Sequence, residues 1–138
     1  MTNPDVHHRN IQIGQSVYSA FAKRDVPAIL ALLSPDVEWG EPANPFHPTV
    51  GMRRGHAGFL DWQNIGRQSE DMLTSELRKF LADHDSVAVI GYTKCHAKPT
   101  NRTYETDFVH LVTLEDGKVL RFQEFFDTFA AAEAFRKG

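Results

Sequence analysis

Glu124 demands a chemical explanation before any other residue of this chain. It lies in the run Phe122-Gln123-Glu124-Phe125-Phe126. Strict strand alternation places it on one face with Val109, Leu111, Phe122 and Phe126. A carboxylate among such neighbours is costly unless it is partnered or protonated. A carboxyl whose pKa is raised that way suits general acid/base catalysis. The plainer reading is a strand-edge carboxylate paired to Arg121 or Arg102. His110, in Val109-His110-Leu111, is either a satisfied core histidine or a proton-transfer partner. Glu41 follows Trp39 closely and precedes Pro42, and it is either a solvated loop acid or part of a site.

Other chemistries are excluded or disfavoured by absent patterns. The chain has no GxGxxG, Walker loop, GxSxG or HExxH. Its seven histidines share no standard metal-ligand spacing, so no metal and no cofactor is expected. Cys95 is the one cysteine, which rules out an internal disulfide and suits a reducing compartment. It reads as a buried, inert thiol. The net charge of −3, without a Lys/Arg stripe, argues against nucleic acid as a partner. The apolar runs are far too short for a membrane span, and the first ten residues lack a signal-peptide pattern. The expected location is cytoplasmic.

The elements that must hold these residues follow from periodicity. Residues 1–8 read as a loose tail. Helical spacing of Ile13, Val17, Ala20 and Phe21 predicts a helix over 9–24. A short helix follows, with Pro27 in its first turn, and Ser34-Pro35-Asp36 ends it. Residues 37–39 form a short strand, and the three prolines between Gly40 and Gly55 mark a loop. A third helix spans 55–68. The period then changes to two, giving strands over 72–81 and 87–97 and a hairpin over 104–128. The hairpin turns at Asp116-Gly117, a pair that tolerates the positive φ of a type I′ turn. If only those two residues turn, Leu111 faces Phe122 and Val109 faces Glu124. A helical turn over 129–136 closes a single domain of residues 1–138. Segregated helices and strands argue for the α+β class. The hairpin face assigned to Phe108, Val112 and Phe125 is too apolar to meet water, which predicts a homodimer.

Two stretches carry a resemblance to known proteins. VHLVTLEDGKVLRFQEFFD resembles the final hairpin of the SnoaL-like polyketide cyclases. VYSAFAKRDVPAILALLSPDVEW resembles the same family and the ketosteroid isomerases, both within the nuclear-transport-factor-two-like superfamily. The resemblance implies a cone-shaped, curved antiparallel sheet wrapped around three N-terminal helices, with one deep pocket, in a homodimer. It implies cofactor-free acid/base chemistry of isomerase or cyclase type on an apolar carbonyl-containing substrate. A non-catalytic small-ligand-binding module on the same fold is the alternative.

Carried over residue by residue, the resemblance makes His110 and Glu124 active-site groups, with Glu where the cyclases have Asp. Glu41 takes the position of the isomerases' general base. Tyr18 stands one residue from the isomerases' oxyanion-hole tyrosine, and Val17 and Val109 occupy the two oxyanion-hole positions. The chain is therefore not expected to be a ketosteroid isomerase. Tyr18, Trp39, Phe59 and Trp62 are the expected pocket lining, together with Val109, Leu111, Phe122 and Phe126; the plainer reading is ordinary core for Trp39, Phe59 and Trp62 and a hydroxyl reaching water for Tyr18. Ideal alternation puts His110 and Glu124 on opposite faces, so sharing a pocket requires a β-bulge in the hairpin.

Overall fold

The computed structural model describes residues 4–137. Helix α1 (Pro4–Ala22) is followed by α2 (Val26–Leu32), β1 (Leu33–Glu41), β2 (Gly51–Arg54) and α3 (Gly55–Ser69). Then come β3 (Glu70–Ala82), β4 (Ser86–Ala97), β5 (Arg102–Glu115), β6 (Lys118–Phe126) and α4 (Thr128–Phe135). The class is α+β: four helices and one six-stranded sheet, ordered β2-β1-β6-β5-β4-β3.

The sheet is mixed rather than antiparallel throughout, because β1 runs parallel to β6 while every other neighbour is antiparallel. Residues 4–8 of the expected tail form the first turns of α1, and residues 1–3 lie outside the described residues. Ser34-Pro35-Asp36 belongs to β1, at an irregularity where proline's missing N–H is tolerated. The proline-rich loop hides the short strand β2, whose four residues are too few to show a period.

Local chemistry explains the boundaries. Asp25 caps α2 by accepting from Ala28 N–H at 3.2 Å, with Pro27 in the first turn. Asp127 caps α4 through Ala130 N–H at 3.0 Å. Asp116 and Gly117 have φ of 52° and 77°, as a two-residue type I′ turn requires.

The main core lies between α1–α3 and one face of the sheet. Val17, Ala20, Ile29, Trp39 and Phe59 meet Val87, Val89, Val112, Leu114, Val119 and Phe122 there. Phe108 and Val112 are buried on this inner face, so the grouping with Phe125 expected from simple alternation is wrong. Phe125 is 51% exposed on the outer face, in one row with Ile90 and Val109 across three strands.

The cause is a bulge in β6. Leu114 pairs with Val119, but Thr113 pairs with Arg121, which leaves Leu120 as the extra residue. Beyond it His110 pairs with Glu124 instead of Gln123, and every side chain of β6 changes face.

Candidate active site

Five elements bring one residue each to the inner face: Tyr18 from α1, Glu41 from β1, Trp62 from α3, His110 from β5 and Glu124 from β6. The bulge puts His110 opposite Glu124, and the parallel pairing does the rest. Trp39 is level with Phe122 and Gly40 with Gln123, so Glu41 comes beside Glu124. The Trp39 and Phe122 rings stack at 3.9 Å, which locks that register.

The hydrogen bonds form two runs. His110 Nε2 lies 2.5 Å from Glu124 Oε2, and His110 Nδ1 lies 2.5 Å from the Tyr18 hydroxyl. Trp62 Nε1–H donates to Glu41 Oε1 at 2.9 Å. The carboxyls of Glu41 and Glu124 lie close enough for each to act on the other. Among the described residues Glu41 Oε2 is buried with no hydrogen-bond partner. Two buried carboxyls this close do not both ionise readily, so one of them holds a proton.

The electrostatics say which one. Burial first, and then the charge of Glu124, raise Glu41 well above the usual carboxylate range. Burial also raises Glu124, but the neighbouring Glu41 carboxyl lowers it, so Glu41 is the acid and Glu124 the carboxylate. Burial depresses His110 to about 3, with the charge of Glu41 pulling the other way, so the ring is neutral. Its single proton must sit on Nε2 to meet the carboxylate, and Nδ1 then accepts from Tyr18 O–H. Burial and the charge of Glu124 raise Tyr18 above its ordinary value and keep that hydroxyl protonated.

The site is enclosed without being sealed. His110 and Glu124 keep 12% and 21% of their side-chain surface accessible. Phe108 and Phe122 flank the imidazole at 4.2 and 4.7 Å between ring centroids. Phe126 shares the inner face with Glu124, two residues on. Two expected lining residues are not there: Val109 and Leu111 project from the outer face of β5, because the bulge shifted β6 and left β5 regular. Trp39 and Phe59 are completely buried core residues rather than accessible lining, and Trp62 alone of the three donates to a site carboxyl.

The strand-edge reading of Glu124 is replaced too, since its partners are His110 and Glu41, while Arg121 pairs with Glu38 at 3.7 Å. Sequence reasoning missed the contact between Glu41 and Glu124 and the donor on Trp62. Neither had a local signal, because both depend on how β1 and α3 dock. Away from the site, Asp83, His84 and Asp85 bring possible metal-ligand atoms together in an exposed turn. Asp83 Oδ1 there accepts from Asp85 N–H, Ser86 N–H and the Ser86 hydroxyl, a role that closes the turn.

Helices over one face of a mixed sheet, with two carboxyls and a histidine on that face, define an α+β domain with a candidate acid/base site. Residues 15–122 match the SnoaL-like domain, and the chain belongs to that family. An NTF2-like protein from Burkholderia xenovorans LB400 is 31% identical, with a TM-score of 0.87 over 94% of this chain and 98% of that one. TerC, co-crystallised with polyporic acid, is 28% identical, with a TM-score of 0.74 over 94% of this chain and 99% of TerC. The uncharacterised protein Rv0034 of Mycobacterium tuberculosis is 24% identical over 91% of this chain and 95% of its own length.

Proposed function

We propose that this chain is an enzyme of cofactor-free acid/base chemistry, isomerase-like or cyclase-like, acting on a mostly apolar carbonyl compound. One observation carries the reading: two buried neighbouring carboxyls, Glu41 and Glu124, are each met by a ring nitrogen, of Trp62 and His110 respectively. Glu124 removes a proton from the carbon beside the carbonyl, and the C–H electron pair moves onto oxygen as an enolate. In an isomerisation the enolate is reprotonated at another carbon. In a cyclisation the enolate carbon attacks a second carbonyl, and the new alkoxide takes the proton of Glu41. Tyr18 and His110 hold Glu124 in place while its charge changes. The pocket is bounded by Trp62, Phe122 and Phe126, and the working form is a homodimer. TerC, solved with an organic acid, supports a small organic ligand.

The alternative is a ligand-binding module. Tyr18, His110 and Glu124 hold one another and Trp62 holds Glu41 without a ligand, as a purely structural network also would. A thermal-shift ligand screen on wild type and Glu124→Gln, followed by turnover assays on the hits, separates the two. Gln keeps the shape but cannot exchange a proton. The expected result is similar binding and a turnover reduced by roughly 10²–10⁴. Tight binding with no turnover by wild type favours the module. Undiminished turnover in Glu124→Gln moves the acid/base role to Glu41.

A further inference from the structure

Glu70 stands where local structure disfavours it. It caps the C-terminus of α3, with its N–H donating to Gly66 O, and it is the first residue of β3. The last carbonyls of a helix repel an anion. Its side chain nonetheless turns in: Oε2 accepts from the Tyr104 hydroxyl at 2.6 Å, and only 20% of the side chain is accessible. Burial and then the charge of Glu70 raise the Tyr104 phenol above its ordinary value, which keeps it a donor.

His47 closes the cluster from the proline-rich loop. The hydroxyl and backbone N–H of Thr49 lie 2.7 and 3.4 Å from its Nδ1. The N–H donates there and leaves the ring proton on Nε2. Nε2 faces Glu70 Oε2 at 3.6 Å and the Tyr104 oxygen at 3.4 Å. Asn44 fixes the loop: its Oδ1 accepts from Phe46 and His47 N–H at 3.0 Å each, and its Nδ2 donates to Thr128 O at 2.9 Å. The cluster is tied to both members of the acid pair. Its loop begins immediately after Glu41, and the His47 ring lies 6.0 Å from that of Phe126, which shares the inner face with Glu124. Packing calls for no carboxylate here, since an interior one costs stability that an apolar side chain would not.

Glu124 is faced by titratable groups from Tyr18 of α1, Glu41 of β1, Glu70 of β3, Cys95 of β4 and His110 of β5. Most of them carry no charge near neutral pH. Burial pushes the Cys95 thiol up to about 11, raises the Tyr18 phenol and depresses His110 to about 3. Glu41 holds its proton. Glu70 is the remaining source of charge, and after burial its repulsion is what raises Glu124. His47, when protonated, acts on Glu41 in the opposite sense.

We propose that Glu70 is a positioning residue of the acid/base site: Tyr104 and the His47 loop fix its carboxylate so that its negative charge faces Glu124 and makes Glu124 the stronger base. This role rests on the acid/base reading above. When Glu124 takes a proton from carbon, the repulsion between the two carboxylates is relieved, so the charge favours the reacting state over the resting one.

The Glu124 carboxyl carbon reports the effect when followed by NMR through a pH titration of the full chain carrying carbon-labelled glutamate. Its signal is assigned by its loss in Glu124→Gln. Glu70→Gln keeps the size and the acceptor for Tyr104 but removes the charge, and it should lower the Glu124 midpoint. Glu76→Gln removes an exposed charge from the same strand, where Arg78 pairs with it at 3.0 Å, and it should leave the midpoint in place. Salt at about 0.5 M screens surface charges far more than interior ones, so the shift in Glu70→Gln should persist there. Tyr104→Phe keeps the charge but releases it toward solvent. It should lower the midpoint part of the way, and it carries the test if Glu70→Gln shows no cooperative melt.

An unchanged Glu124 midpoint in the folded variants overturns the proposal. So does an equal shift in Glu76→Gln, or a shift that salt abolishes. The titration needs no substrate, so failure of the charge is told apart from failure of the chemistry, which undiminished turnover in Glu124→Gln would show.

Discussion

Burial makes the charged form of both Glu41 and Glu124 costly, and that makes the stability of the fold depend on pH. Both carboxyls have folded pKa values above the ordinary 4.5. In the window above 4.5 the folded chain therefore holds protons that the unfolded chain has released, and stability falls as pH rises through the folded values. His110 acts in the opposite sense. Its folded value of about 3 lies below the ordinary 6.5, so stability is lost as pH falls from 6.5 toward 3. Above 6.5, and below the range in which Cys95 and the tyrosines titrate, the carboxyl pair is left. The melting temperature measured by calorimetry should decline as pH rises above about 6.5, and Glu41→Gln should shrink that decline. A decline of equal slope in the variant would place its origin elsewhere. The two tryptophans divide the same way. Trp39→Ala removes a buried ring stacked on Phe122 and should cost about 3–5 kcal/mol in denaturant titrations. Trp62→Phe keeps the ring but deletes the donor to Glu41. The donor lowers the Glu41 pKa, so its loss should shift the pH limb upward while leaving stability near pH 5 within about 1 kcal/mol.

Strands β4, β5 and β6 turn these residues into a site, and their packing tolerates little change. A Cβ on Gly91 would meet Glu76 O at 2.4 Å and Phe108 Cζ at 2.5 Å. Phe108 in turn stacks on His110, with centroids 4.2 Å apart. Gly91→Ala should therefore destabilise the fold by about 1–3 kcal/mol and also displace the imidazole from Glu124. The imidazole signals of His110 in an NMR spectrum should move in this variant. A stable Gly91→Ala protein with unchanged His110 signals would show that Phe108 has room to yield. The hairpin itself was largely legible: its turn, both strands and the pairing of Glu115 with Lys118 follow from Asp116-Gly117 and the flanking alternation. Leu120 was not legible as a bulge. No residue type at that position demands one. The bulge is selected because it lets Phe122 stack on Trp39 from a strand that docks from the opposite side.

The molecule as a whole presents one apolar face with nothing over it among the described residues. Ile90, Val109 and Phe125 form a row across the outer face, with Val109 37% exposed, and Leu81, Ala88 and Leu111 form the next row. Covering such rows with a second copy is the proposed reason for a homodimer. Light scattering on a size-exclusion column at micromolar protein should give twice the chain mass, and Phe125→Arg should shift it toward the single mass. A wild-type monomer would sink the dimer. No helix among the described residues is long and apolar enough to cross a membrane.

Composition and local period by themselves determined the α+β class, the order of the long helices and strands, and the candidacy of Glu124, while the resemblance to the cyclases and isomerases singled out His110 and Glu41. Those features are written within a few residues of one another, as alternation, helical spacing, a turn pair or an acid in an apolar run. Tertiary structure decided which face each strand presents, that β1 lies parallel to β6, and that the carboxyls of Glu41 and Glu124 come together. It also brought His47, Glu70 and Tyr104 together from three distant segments. Faces and partners of this kind are set by long-range docking of rings such as Trp39 on Phe122. A one-residue difference in register reverses them while leaving every local pattern unchanged.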